Sequence, residues 1–216
     1  MKHLNKIIFI NSASVRYEEV ALDGPIHLAG RSGAGKSTVL RGILYFFTAD
    51  QVHLGIDSNK DSFNIYYFPM FNSHIVYEFK KDDGTFTVIL TKDNHNRVQY
   101  AFVDAPYNKE WIIDPVTGSA AAAWSEITKN IPQHIDRDLI INIKDYLSIL
   151  WGCHPDKRYA RYSMAICKGF EDILRSQKNV FLNSGFSEAG FKSSVVRALP
   201  CEPPTINLQQ LRNRKS

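Results

Sequence analysis

The most informative stretch is residues 30–38, which read Gly30-Arg31-Ser32-Gly33-Ala34-Gly35-Lys36-Ser37-Thr38. This segment, called the glycine loop below, fits the pattern G-x-x-x-x-G-K-[ST], which is typical of phosphate-binding loops. Its glycines allow backbone conformations that a Cβ would forbid and bring successive N–H groups close to phosphate oxygens. Lys36 is predicted to contact the β- and γ-phosphates, Ser37 to be a ligand of Mg²⁺, and Thr38 to bind the α-phosphate. The expected ligand is therefore ATP with Mg²⁺.

The flanking sequence provides the strand and the helix that such a loop requires. Residues 26–29 form a brief apolar run that predicts a strand ending at Gly30. From residue 36 to residue 47, apolar side chains recur at helical spacing. The free N–H groups and the dipole at the start of that helix would favour a phosphate. A chance glycine-rich turn would not need this context, so we interpret the segment as a nucleotide-binding loop.

Alternating apolar and polar residues predict strands on both sides of the loop. Residues 6–11 and 15–22 are predicted to pair before the loop. After it, residues 73–79, 85–91 and 98–104 are predicted as three strands joined by turns at 81–84 and 93–96. Residues 111–113 are a candidate fourth short strand. These patterns predict an antiparallel meander.

Beyond residue 120 the pattern becomes helical, over 120–130, 139–150 and 162–177, and prolines at 200, 203 and 204 then end any helix. The expected fold class is α/β or α+β, with three regions. These are a nucleotide-binding lobe with an antiparallel β subdomain at 1–118, a helical region at 119–199, and a tail at 200–216 that would lead into a coiled coil.

Composition narrows the class of protein. The 216 residues include 22% charged residues, as in ordinary globular domains, and no apolar run is as long as a membrane span, so we expect a cytoplasmic protein without a membrane partner. Residues 151–216 carry 11 Lys and Arg against 5 Asp and Glu. Arg158, Arg161, Lys168 and Arg175 in that segment would suit either contact with DNA or simple solvation.

A metal site is not expected from the cysteines. There are three of them, without C-x-x-C spacing, and Cys153-His154 has no second pair to complete a tetrahedral set.

The residues that would activate water are harder to find. Hydrolysis by a loop of this kind normally needs an acidic residue after four apolar ones. Residues 139–142 end in Asn142 instead, and residues 111–114 have too short an apolar run before Asp114. No Leu-Ser-Gly-Gly-Gln-like signature is present. The sequence therefore predicts nucleotide binding and leaves the catalytic residues unidentified.

The order of these features resembles the N-terminus of the SMC/RecF/RecN group of ABC-type ATPases. The resemblance rests on the strand pair at 6–22, the glycine loop within 40 residues of Met1, and the helix Val39-Leu-Arg-Gly-Ile-Leu-Tyr-Phe-Phe47. The meander at 73–113 looks like the antiparallel subdomain of those heads. Among them, the chain most resembles the N-terminal half-head of bacterial SMC-like ATP-binding proteins.

The resemblance carries several implications. Walker B, the signature motif and the catalytic Glu would lie in a C-terminal lobe after a coiled coil, so this chain would be one part of something larger. ATP would be held between two heads, either in a homodimer or with a C-terminal lobe, and hydrolysis would then serve DNA organisation, repair or defence. Arg16 falls where such heads place a basic residue near the nucleotide. Gln99 and Gln133 are both candidates for the glutamine that contacts Mg²⁺ and the attacking water.

Two other functions are compatible with a glycine loop. A stand-alone small-molecule kinase would need an acceptor site and lid arginines, for which Arg158, Arg161 and Arg175 are available. A kinase would also continue with alternating strands and helices in a parallel sheet, which the predicted meander does not. The remaining alternative is a non-catalytic nucleotide-binding protein or a truncated gene product.

Overall fold

A six-stranded antiparallel sheet organises the chain. The computed structural model describes residues 2–24, 28, 29, 31, 33, 35–51, 54, 56 and 59–165, all within a unit that ends at Lys168. The strands are β1 His3–Ser12, β2 Val15–Ala21, β3 His74–Lys81, β4 Gly84–Lys92, β5 Val98–Val103 and β6 Arg137–Ile140. Their spatial order is β2-β1-β3-β4-β5-β6, and every neighbouring pair is antiparallel. The fold is therefore mixed α+β, as the sequence predicted at that level.

Tight turns fix the register of the sheet. Ala13 and Ser14 join β1 to β2 with φ values of 51° and 70°, so that Ser12 pairs with Val15. Positive φ at both central residues gives a hairpin turn whose twist matches the twist of the strands. Between β3 and β4, Gly84 pairs with Lys81, which confirms the hairpin predicted at 81–84.

Within the described residues, four helices accompany the sheet: α1 Lys36–Thr48, α2 Phe63–Tyr67, α3 Trp124–Asn130 and α4 Ile143–Leu150. Short 3₁₀ helices lie at Lys109–Trp111 and Lys157–Tyr162. The start of α1 agrees with the predicted start of the helix after the glycine loop.

Successive side chains of a strand point to opposite sides of the sheet, so the sheet has two faces to bury. Helices cover both of them. On one face, Gly42 of α1 lies against Ile7 and Phe9 of β1, and its carbonyl accepts a hydrogen bond from Tyr77 Oη at 2.8 Å. On the other face, a core formed with Trp111, α3 and the chain around them includes Ile8, Ile10, Val76, Ile89, Ala101, Val103, Ile112, Ile127 and Ile131. The sheet is thus buried from both sides. Helix α1 packs directly on β1, which positions the glycine loop at the edge of this contact.

Several predicted elements differ from the structure. Leu28 and Ala29 are not in a strand, while residues 26, 27 and 30 lie outside the described part of the chain. The candidate strand at 111–113 is not a strand: Trp111 ends a 3₁₀ helix, Ile112 follows it as the C-cap, and Ile113 forms an isolated bridge to Ala120.

The helical predictions after residue 120 were partly wrong. The first helix begins only at Trp124. Residues 137–140 form β6, where Ile140 pairs with Tyr100, and the helix predicted at 139–150 begins at Ile143. Tyr162 ends a 3₁₀ helix, residues 163–165 are not helical, and residues 166–177 lie outside the described residues. The proposed region boundaries at 118 and 199 stay predictions.

Candidate functional site

The glycine loop runs into α1, because its last three residues, Lys36, Ser37 and Thr38, are the first three of the helix. Gly33 and Gly35 have φ values of +85° and +79°, in the left-handed region that side chains rarely adopt. A Cβ at either position would meet nothing within 4 Å, so the need for glycine there is conformational and not steric. Gly30, Ser32 and Ala34 lie outside the described residues.

The start of α1 is suited to an anion. Gly35 occupies the N-cap position without a side-chain cap, and the first turn contains no acidic residue. The first N–H groups of a helix have no partner within the helix, and the helix dipole adds a partial positive charge there. Ser37 is exposed beside them. This end of α1 can therefore accept a negatively charged group.

Lys36 folds back over the glycine loop. Its Nζ donates a hydrogen bond to the carbonyl oxygen of Arg31 at 2.7 Å. The ammonium group therefore lies against the backbone of the glycine loop, and its predicted contact with phosphates stays a prediction.

Helix α2 braces the first turn of α1. Tyr67 Oη donates to the carbonyl oxygen of Thr38 at 2.7 Å, and Tyr66 Oη lies 3.1 Å from Thr38 Oγ1. Burial raises the pKa of Tyr67 above its usual range, although the nearby Arg41 guanidinium opposes the rise. The phenol therefore stays protonated and keeps its role as a donor.

These elements enclose a pocket of about 790 Å³, called the loop pocket below. Its volume lies within the range of about 300–1,000 Å³ that is typical of small-molecule sites. One side is formed by the glycine loop and α1, with Gly33, Gly35, Lys36, Ser37, Thr38 and Arg41. The other side is formed by Ile56, Asn59, Lys60, Asp61, Tyr66 and Tyr67.

The charges in the loop pocket favour an anion. Among the described residues that line it, Lys36, Arg41 and Lys60 are cations and Asp61 is the single carboxylate. Together with the free N–H groups at the start of α1, this surplus fits a polyphosphate. The Ser37 hydroxyl and the Asp61 carboxylate offer the oxygen ligands that Mg²⁺ prefers. In the described part of the chain, no three or more His, Cys, Asp or Glu residues lie close enough together to hold a metal ion by themselves.

Arg16 lies in a different pocket. It lines a cavity of about 350 Å³ together with Asn11, Tyr17 and Lys109, and its Nη2 donates to the Gly118 carbonyl at 3.4 Å. Arg16 does not line the loop pocket. The expectation that it contacts the nucleotide stays a prediction.

The candidates for water activation are also elsewhere. Asp114 accepts hydrogen bonds from the N–H groups of Val116 and Thr117, and Asn142 caps α4 by accepting from Lys144 N. Neither lines the loop pocket. The same is true of Gln99 on β5 and Gln133, so the choice between these two glutamines stays open.

The basic residues after 150 are partly engaged with carboxylates. Arg158 pairs with Asp156 at 2.8 Å, and Arg161 contacts both Asp136 and Asp138. Lys168 and Arg175 lie outside the described residues. The described arginines are therefore not a free basic surface.

Half of the loop pocket was missed by reasoning from the sequence. The segment 54–67 showed no regular periodicity, and nothing local indicated that it returns to the start of α1. The adjacent aromatic residues Tyr66 and Tyr67 were the one available signal, because two tyrosines outside any predicted strand need a surface to pack on.

No helix in the described part of the chain combines the length and the apolar character that crossing a bilayer demands.

Comparison with known proteins places most of the chain in a protein family. The model of a family described as "Protein of unknown function (DUF3584)" matches residues 10–151, which include the glycine loop, α1, α2 and all of the strands except part of β1. No curated protein matches the chain.

Proposed function

We propose that the chain, which belongs to the DUF3584 family of unknown function, is the ATP-binding N-terminal lobe of an SMC-like, ABC-type P-loop ATPase. The observation that carries the proposal is the loop pocket. In it, two left-handed glycines, the uncapped start of α1 and the Lys36 ammonium surround one space large enough for a nucleotide. Each of these features favours phosphate for a separate physical reason, and all three converge on one site.

The sheet supports an ABC-type lobe over a small-molecule kinase. A kinase built around a glycine loop would place it in a parallel sheet with crossover helices. Here the chain passes from α1 through α2 into the meander β3-β4-β5, and the five strand pairings among the described residues are antiparallel. This order, after the hairpin of β1 and β2, is the one expected of an SMC-like half-head.

The proposal separates binding from hydrolysis. The described residues of the loop pocket include no histidine and no carboxylate other than Asp61. We infer that the Walker B carboxylate and the signature motif come from a C-terminal lobe or from a second head. ATP would then drive engagement of two heads, and the process served would involve DNA.

The binding step is tested by titrating the chain with MgATP in a calorimeter. Replacing Lys36 with Ala removes a charge-assisted hydrogen bond, which is worth about 1.5–3 kcal/mol, so affinity should fall about 10- to 150-fold. Lys129→Ala is the matched control, because Lys129 is an exposed lysine in the last turn of α3 and does not line the pocket. Equal affinity for ATP in the wild type and in Lys36→Ala would refute the proposal.

The DNA partner is tested separately. Binding through phosphate contacts should weaken steeply as salt rises. If the chain shows no DNA binding even at low salt, DNA contact does not reside in this lobe.

A further inference from the structure

The loop pocket contains the carboxylate of Asp61, which the binding of phosphate alone does not require. Asp61 is exposed and lines the pocket together with Lys36 and Ser37. Within the described residues, no hydrogen bond or ion pair joins its carboxylate to another side chain or to the backbone. A bare carboxylate beside a polyphosphate would repel it, so its presence at an otherwise cationic site needs a reason.

The position of Asp61 is set by the bracing of α2. Asp61 is the second residue before Phe63, where α2 begins. The last two residues of α2 are hydrogen-bonded to Thr38, one residue after Ser37. The segment that carries Asp61 is therefore held at the start of α1, where the phosphates are expected, and does not extend away from the protein as a free loop.

The chemistry of Mg²⁺ supplies the reason. Mg²⁺ prefers oxygen ligands, keeps several waters, and is usually bound through one or two carboxylates together with the phosphates of a substrate. Ser37 offers a hydroxyl and Asp61 a carboxylate in the same pocket. Asp114, the other acidic candidate from the sequence, is engaged in its own turn and does not line the pocket.

We propose that Asp61 is a Mg²⁺ ligand, either directly or through a bound water, that this chain supplies to a nucleoside triphosphate in the loop pocket. The inference rests on the proposed function, because the triphosphate provides the remaining oxygen ligands. It gives the lobe a metal-binding carboxylate of its own, in addition to any that a second lobe contributes.

The test measures the affinity of the full chain for ATP by calorimetry under two conditions, once with excess Mg²⁺ and once with EDTA. For the wild type, Mg²⁺ should tighten binding. In Asp61→Asn, most of this gain should be lost, at least about tenfold in Kd, since changes even to residues behind a ligand typically cost about 10- to 100-fold in metal affinity. In EDTA, the same variant should bind ATP as tightly as the wild type or more tightly, because the repulsive carboxylate has been removed.

This opposite response separates a metal ligand from a structural residue, because a damaged fold would weaken binding under both conditions. Glu18→Gln is the matched control, since Glu18 is an exposed carboxylate on β2 and does not line the pocket, and it should behave as the wild type. Full retention of the Mg²⁺ gain in Asp61→Asn, or equal loss with and without Mg²⁺, would overturn the inference and leave the proposed function standing. Absence of ATP binding by the wild type would overturn both.

Discussion

Gly42 lies at a close contact between α1 and β1, and its replacement by Ala tests how tightly α1 packs on the sheet. An ideal Cβ on Gly42 would lie 2.9 Å from Ile7 Cδ1 and 3.1 Å from Phe9 Cζ. Helix α1 is also held at this point, because Tyr77 Oη donates to the Gly42 carbonyl at 2.8 Å in the buried core. The helix therefore cannot withdraw from β1 without stretching that hydrogen bond.

Two opposing effects set the size of the change. Ala is favoured over Gly inside a helix by about 1 kcal/mol, whereas overpacking a core typically costs about 1–3 kcal/mol. Ile7 Cδ1 is the end of a flexible side chain and can move, but the Phe9 ring is buried and rigid. We expect Gly42→Ala to lower the free energy of unfolding by about 1 kcal/mol net.

Urea unfolding monitored by circular dichroism measures this change. Ile7→Val removes the Cδ1 atom of the closest contact, so the double variant Ile7→Val with Gly42→Ala should be more stable than the sum of the two single changes predicts. Gly24→Ala is a control for the added methyl group, because a Cβ there meets nothing within 4 Å. If Gly42→Ala stabilises the protein, as it would in an exposed helix, the described packing of α1 on β1 is wrong.

Two further predictions concern the loop and the sheet. Gly35→Ala would place a side chain in open space at φ +79°, a backbone conformation that is strained by about 1–2 kcal/mol for a residue with a Cβ. This strain should lower the affinity for ATP, measured by calorimetry, about 5- to 30-fold. Unchanged affinity would mean that the loop does not need this conformation. Burial lowers the pKa of His74 to about 4, despite its 2.7 Å contact with the Ala121 carbonyl. Since the unfolded chain takes up that proton near pH 6.5, the contribution of His74 to stability is complete above about pH 6.5 and falls by about 1.4 kcal/mol per pH unit as pH drops toward 4. His74→Leu should remove this part of the pH dependence in urea unfolding, and an unchanged profile would contradict it.

The sequence was most informative where local chemistry determines local structure. The hairpin at 81–84, the strands of the meander and the start of α1 follow from side-chain alternation, turn residues and helical spacing, and each is present. The glycine loop could be recognised because its conformation needs glycine at particular positions, such as Gly33 and Gly35.

The errors came from structure that depends on distant partners. Leu139 and Ile140 continue the apolar spacing of α4, yet they pair with Ala101 and Tyr100 of β5, and this pairing outweighs the local helical pattern. In the same way, Asp61 lines the loop pocket beside α2, which contacts Thr38 of α1 through two tyrosine hydroxyls. No pattern within a short window shows such a contact.

If the proposed function is right, the glycine loop and the start of α1 hold the phosphates of ATP. Heteronuclear NMR of the ¹⁵N-labelled chain, titrated with MgATP, tests it residue by residue. We expect the largest shifts of backbone amides at Gly33, Gly35, Lys36, Ser37 and Thr38. Shifts concentrated instead around Arg16 and Gly118, or no shifts at saturating MgATP, would contradict it.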